Sequence, residues 1–129
     1  MKKPYNILFI TSDQQRGDCY GFEKRKVKTP HLDELASEGT RFKNCITPNT
    51  VCMPARSSML TGLLPRTHGV SDNGIDLNPE IGEKGFGRTF ANNGYKSGFI
   101  GKLHFSSNKT FKPTGTPECR FSISKLGPN

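Results

Sequence analysis

Three groups of residues in this sequence have types and spacings that could do chemistry. Cys52 and Arg56 lie four apart in the string Cys52-Met53-Pro54-Ala55-Arg56, and in a helix the i and i+4 side chains share a face. With Cys52 at a helix start, free backbone N–H groups, the positive end of the helix dipole and a two-pronged guanidinium would all welcome an anion. Asp13 and Gln14 are adjacent oxygen donors of the kind that suits a hard divalent cation, although two residues cannot satisfy its roughly six to eight ligands. Lys102 and His104 are two apart after an apolar run, so on an extended segment both would point to one face. Each group taken singly also has a plainer reading. A cysteine packs as a small apolar residue, Asp-Gln sits in an ordinary strand-to-loop turn, and Lys-x-His belongs to a surface loop.

The elements that must position these groups follow from apolar runs and punctuation. Residues 5–11 form an apolar stretch between Pro4 and Ser12-Asp13 and read as a buried strand, with Asp13 and Gln14 at its carboxyl end. That end is where an open α/β sheet places its ligands. Thr29-Pro30 opens a helix, with Thr29 as N-cap, Leu32 and Leu35-Ala36 on one face, and Gly39 as the stop. Residues 41–46 read as a second strand. Pro54 suits a first helical turn, residues 55–60 favour helix, and Thr61-Gly62 ends it. Residues 67–85 carry four glycines and the turn signal Asp72-Asn73-Gly74, so irregular structure is expected there. Phe86, Phe90 and Ala91 suggest a short helix closed by Asn93-Gly94, and residues 96–100 a further strand ending at Gly101. The order is that of an α/β domain.

Composition narrows the function classes. The chain has 129 residues, of which only 32% are hydrophobic; that allows one domain with a thin core, or part of one. Its longest strictly apolar run, Ile7-Leu8-Phe9-Ile10, is far short of the roughly 20 residues a membrane helix needs. No export leader is visible, so a cytoplasmic location is expected, or a periplasmic or secreted one if a leader precedes the sequence. The net charge of +8, with Lys24-Arg25-Lys26 as its densest run, raises the question of nucleic acid. No zinc-finger or RNP1 pattern and no repeated interleaving of aromatic with basic residues accompanies it, so anionic partners in general are expected rather than nucleic acid. The four cysteines, Cys19, Cys45, Cys52 and Cys119, make no C-x-x-C pair and do not read as a disulfide framework. Residues 106–129 are rich in Ser, Thr, Pro and Gly and read as a loop-rich segment of the same domain as residues 1–105, whose partner structure lies elsewhere.

Cys52-x-Pro54-Ala55-Arg56 followed by Leu60-Thr61-Gly62 resembles the signature of the type I sulfatases of the alkaline-phosphatase-like superfamily. The similarity extends, in the family's order, to residues 6–14, Thr29-Pro30-His31-Leu32-Asp33, Leu64-Pro65-Arg66-Thr67-His68-Gly69, and Gly94-Tyr95 through Gly101-Lys102-Leu103-His104. The resemblance implies an alkaline-phosphatase-like α/β sandwich with a central, mostly parallel sheet flanked by helices, present here as its N-terminal portion. It implies a sulfuric ester hydrolase in which a separate maturation enzyme oxidises Cys52 to Cα-formylglycine. One hydroxyl of the hydrated aldehyde attacks sulfur, and the other expels the anion. It further implies that Asp13, Gln14 and the modified residue 52 bind a divalent metal, Ca²⁺ first and Mg²⁺ or Mn²⁺ after it. Arg56, Lys102 and His104 are then catalytic, with His68 and Asn73 lining the substrate site and Cys19, Cys45 and Cys119 as structural thiols. Many sulfatases have Asp where Gln14 stands. The competing expectations are a phosphonate monoester or phosphodiester hydrolase of the same superfamily, and an inactive fragment or basic binding module.

Overall fold

The structure is a computed structural model that describes residues 5–23 and 26–106. The chain divides into two compact units, Met1–Cys45 and Ile46–Asn129. The loop-rich segment expected over 106–129 lies, apart from Ser106, outside the described residues. Among the described residues no helix is long and apolar enough to cross a membrane.

The first unit contains one helix, α1, Pro30–Glu38, which starts and stops where Pro30 and Gly39 dictate. Thr29 stands at its N-cap, yet its hydroxyl caps no helix N–H. It accepts from the Gly21 amide at 2.8 Å and donates to Asp33 Oδ1 at 2.8 Å, so it ties the preceding loop to the helix. Gly21 is needed for this approach, since a Cβ there would lie 2.0 Å from Asp33 Oδ2. Further along, the Arg41 guanidinium lies 4.3 Å from the Phe22 ring centroid, pairs with Glu23, and leaves Tyr20 stacked on Phe22 at 5.1 Å. No residue of α1 is buried, and Leu32 and Leu35 are exposed.

The second unit is built around α2, Cys52–Thr61. Its stop is the expected one: Gly62 takes the left-handed conformation, φ 71°, and its amide bonds the Ser58 carbonyl at 2.8 Å. Three further helices follow: α3 over Pro65–His68, α4 over Pro79–Gly82 and α5 over Phe86–Asn92. All three pack on α2. Gly85 allows the start of α5 to approach α2, because a Cβ there would sit 2.7 Å from the Leu60 carbonyl oxygen. The core consists of Met53, Leu60, Val70, Leu77 and Phe105, with Ile81 and Leu103 packed against it.

Two expectations need correction. Residues 67–85 were expected to be irregular throughout, whereas α3 and α4 are single helical turns, each begun by a proline at N1 or N2. The three strands expected over 5–11, 41–46 and 96–100 are not formed among the described residues. Ile7, Leu8, Phe9 and Ile10, expected to be buried, are exposed, Leu8 to 85%. A strand exists only where a neighbour takes up its backbone N–H and C=O groups along a ladder, and no ladder forms for these segments among the described residues.

Candidate active site

The site residues predicted in the second unit lie on α2 or in segments bonded to it. Val51, at the N-cap, has no side chain able to accept a hydrogen bond, and the helix has no side-chain cap of its own. The first turn is held from outside instead. Asn49 Oδ1 accepts from the Val51 amide at 2.7 Å. Asn73 Oδ1, twenty residues on, accepts from the Met53 amide at 3.0 Å, and the Gly74 amide donates to Met53 Sδ at 3.1 Å. Cys52, a half-buried thiol in no disulfide, is thereby flanked by two anchored peptide groups.

Arg56, one turn further along α2, donates from Nη1 to the backbone carbonyl of Lys102. This contact joins the cysteine-bearing helix to the Lys102 and His104 segment. The segment is held again just past His104, where the Leu77 amide donates to the Phe105 carbonyl at 2.9 Å and Ser106 Oγ donates to Asp76 Oδ2 at 2.8 Å. It is not a strand. Gly101 has φ 111° and His104 φ 55°, so the alternation expected to send Lys102 and His104 to one face does not run through it. A non-glycine residue in the left-handed region is costly and persists where its surroundings hold it. Among the described residues only Gln14, at φ 52°, and His104 do this, and both are predicted site residues.

His68, expected to line the site, is buried to 3% exposure at the end of α3. Its Nδ1 accepts from the Val70 amide at 3.1 Å, which leaves the proton of the neutral ring on Nε2, 2.9 Å from Ser58 Oγ. Burial pushes its pKa below the usual 6.5, against the opposing pull of backbone hydrogen bonds. His68 is therefore a neutral brace between α3 and α2. Asn73 likewise spends its side-chain oxygen on α2. Sequence reasoning did not anticipate Ser58, Met53 or Asp76 as partners; the one available signal was the Asp72-Asn73-Gly74 turn, which said where the chain reverses and not what it would touch.

Asp13 and Gln14 belong to the first unit and are exposed. Their oxygens suit a hard cation, and Gln14 takes the left-handed backbone at φ 52°. The set is short of a complete site: among the described residues no three His, Cys, Asp or Glu side chains cluster. The thiol of Cys52 is a soft ligand and a poor match for Ca²⁺, so residue 52 fits that role only once its sulfur has been replaced by oxygen.

A family model described as Sulfatase matches residues 5–123. The chain belongs to the sulfatase family. It is 39% identical to an ulvan-active sulfatase of Formosa agariphila over 81% of its own length and 20% of that protein's. It is 35% identical to the uncharacterized sulfatase YidJ of Escherichia coli over 92% of its length and 23% of that protein's. In structure it resembles a Bacteroides fragilis protein described as the sulfatase yidJ, with a TM-score of 0.68 at 38% identity over 77% of this chain and 23% of that one. The chain thus spans about a fifth to a quarter of the length of these relatives. The likeness implies the family's alkaline-phosphatase-like α/β fold, whereas the described residues themselves form helices without a strand.

Proposed function

We propose that this chain is the N-terminal part of a sulfatase that cleaves a sulfate ester to an alcohol and sulfate, with Cys52 oxidised to formylglycine by a maturation enzyme. The observation that carries the reading is the bond from Arg56 to the Lys102 carbonyl. It ties the helix that begins at residue 52 to the segment bearing Lys102 and His104. Both lie in motifs that resemble the family's.

In this reading the N-terminus of α2 and the Lys102 ammonium bind the sulfate oxyanion. Arg56 orients the lysine segment through the Lys102 carbonyl and, as a two-pronged cation one turn from residue 52, adds positive charge beside the anion. His104, fixed in its left-handed backbone between the Lys102 and Phe105 anchors, contacts the transferring group. Asp13 and Gln14 would hold the metal, with Ca²⁺ favoured by hard oxygen donors. When bound, the metal supplies positive charge that favours the ionised nucleophile and offsets charge on the sulfate. The central, mostly parallel sheet takes up residues 5–11 in the whole protein. The 129-residue chain by itself is inactive, since it offers only part of the metal's ligands.

Gln14 is the observation favouring a second reading. An amide in place of a carboxylate leaves the metal more positive, which would alter how it discriminates between a sulfate ester and an equally monoanionic phosphonate monoester. The two are separated by kcat/KM of the whole, matured protein on an aryl sulfate and on a phenyl phosphonate. The sulfatase reading expects the sulfate to be preferred by at least about tenfold, a difference of ~1.4 kcal/mol in transition-state binding. A preference for the phosphonate of the same size overturns it.

A further inference from the structure

We propose that Asn73 is a positioning residue for the reaction, a tertiary N-cap that fixes the peptide following residue 52; the kinetic part of this proposal rests on the sulfatase reading above. An α-helix leaves its first N–H groups without intrahelical acceptors, and they are commonly satisfied by the residue at the N-cap. In α2 that residue is Val51, which has no acceptor. The Met53 amide, the one that immediately follows residue 52, is taken instead by Asn73 Oδ1 at 3.0 Å. The contact is reciprocal, because the next residue of the same turn, Gly74, donates its amide to Met53 Sδ. Gly74 has φ 86°, a conformation an L side chain adopts only under strain, so the turn is shaped to make both contacts. Met53 is 1% exposed, which anchors the far end of the clamp in the core.

The same loop holds the other half of the site. Three and four residues beyond Asn73, Asp76 accepts from Ser106 Oγ and the Leu77 amide donates to the Phe105 carbonyl. Leu77 and Phe105 belong to the same core cluster as Met53. Residues 73–77 therefore span from the peptide beside residue 52 to the residues just after His104, and set the separation of the two. Asn73 is the polar end of that span. A nucleophile displaced by a fraction of an ångström loses rate while substrate binding, made by other groups, is kept.

The test compares wild type, Asn73→Ala and Asn73→Asp in the whole protein, each with its residue-52 peptide mass recorded to establish equal formylglycine content. Aspartate keeps an acceptor at the same reach; alanine does not. Two readouts are taken: hydrogen exchange at the Met53 amide, and kcat and KM on an aryl sulfate. Asn73→Ala is expected to speed Met53 exchange by roughly 5- to 30-fold, the factor corresponding to a lost cap, with the Leu60 and Thr61 amides unchanged. It is expected to lower kcat about tenfold with KM within twofold. Asn73→Asp is expected to restore Met53 protection and most of kcat. Unchanged Met53 exchange in Asn73→Ala overturns the cap, and unchanged kcat alongside faster exchange overturns the positioning role. A loss carried by KM, not recovered by aspartate, assigns Asn73 to substrate contact and also overturns it. Faster exchange along the whole of α2 would mean general destabilisation and does the same. An inactive but formylglycine-bearing wild type instead contradicts the sulfatase reading, and the cap is then judged on Met53 exchange alone.

Discussion

The two units of this chain are made from similar residues and hold them differently. In Met1–Cys45 the large apolar side chains lie outward: Leu8, Ile10, Leu35 and Phe42 are all more than 60% exposed, and the described contacts are polar or aromatic. In Ile46–Asn129, Met53, Val70 and Leu77 are essentially inaccessible and the helices close around them. The difference follows from the range of the interactions each segment encodes. A helix with its proline start and glycine stop satisfies its backbone within about a dozen residues, whereas a strand needs a partner elsewhere in the chain. The second unit carries locally encoded helices and a core of its own. The first unit carries an apolar run that is exposed and forms no strand among the described residues.

Substitutions can break that comparison, and the largest effect is expected in the core. Leu77→Ala in the whole protein should cost ~2–5 kcal/mol of unfolding free energy, because it removes most of a fully buried side chain and leaves a cavity; urea unfolding measures it. A cost below about 1 kcal/mol would mean that the cluster is loosely packed and the contrast with the first unit is overstated.

A smaller effect sharpens the picture around the brace. The His68 pKa is lower in the folded protein than the usual 6.5, chiefly through burial. Between those two values the unfolded chain binds more protons than the folded one, so stability falls as pH drops through 6.5 and levels off below the folded pKa. Urea midpoints taken at pH 7.5 and 5.5 should therefore differ more for wild type than for His68→Gln, which has no proton to bind there. Equal differences would place His68 in contact with water.

The smallest effect is expected at Ile10. In this 129-residue chain Ile10→Ser should change stability by less than about 0.5 kcal/mol, as at other exposed positions. In the whole protein, where the segment joins the sheet we propose, the same change should cost ~2 kcal/mol or more. Similar small costs in both would remove the reason for regarding the first unit as unfinished rather than simply different.

How much of this was legible in the sequence follows the same division. Pro30, Gly39, Gly62 and Asn93 marked helix ends correctly because capping and left-handed turns depend on a few adjacent residues. The prolines at 65 and 79 also open helices, but one turn leaves no apolar period to detect, and the stretch read as irregular, 67–85, took in all of α4 and the end of α3. The run at 5–11 showed β character that only distant pairing can realise. At the site, the cysteine motif and the Lys102-x-His104 pair were recognisable as strings. The cap on Met53 and the bond from Arg56 to Lys102 were not, because they join residues 20 and 46 apart and no local pattern encodes them. For His68 the shorter links to Ser58 and Val70 were equally hidden, since a histidine after a proline turn reads the same whether it faces water or the core.

The central claim is that residue 52, at the start of α2, is the nucleophile of a sulfate ester hydrolase. Its most direct test is the release of inorganic sulfate from an aryl sulfate by the whole protein, co-expressed with a formylglycine-generating enzyme, against the Cys52→Ala variant prepared identically. The account predicts sulfate release by wild type with formylglycine at residue 52, and a loss of at least about 10³-fold in Cys52→Ala. Turnover by Cys52→Ala within tenfold of wild type would contradict it.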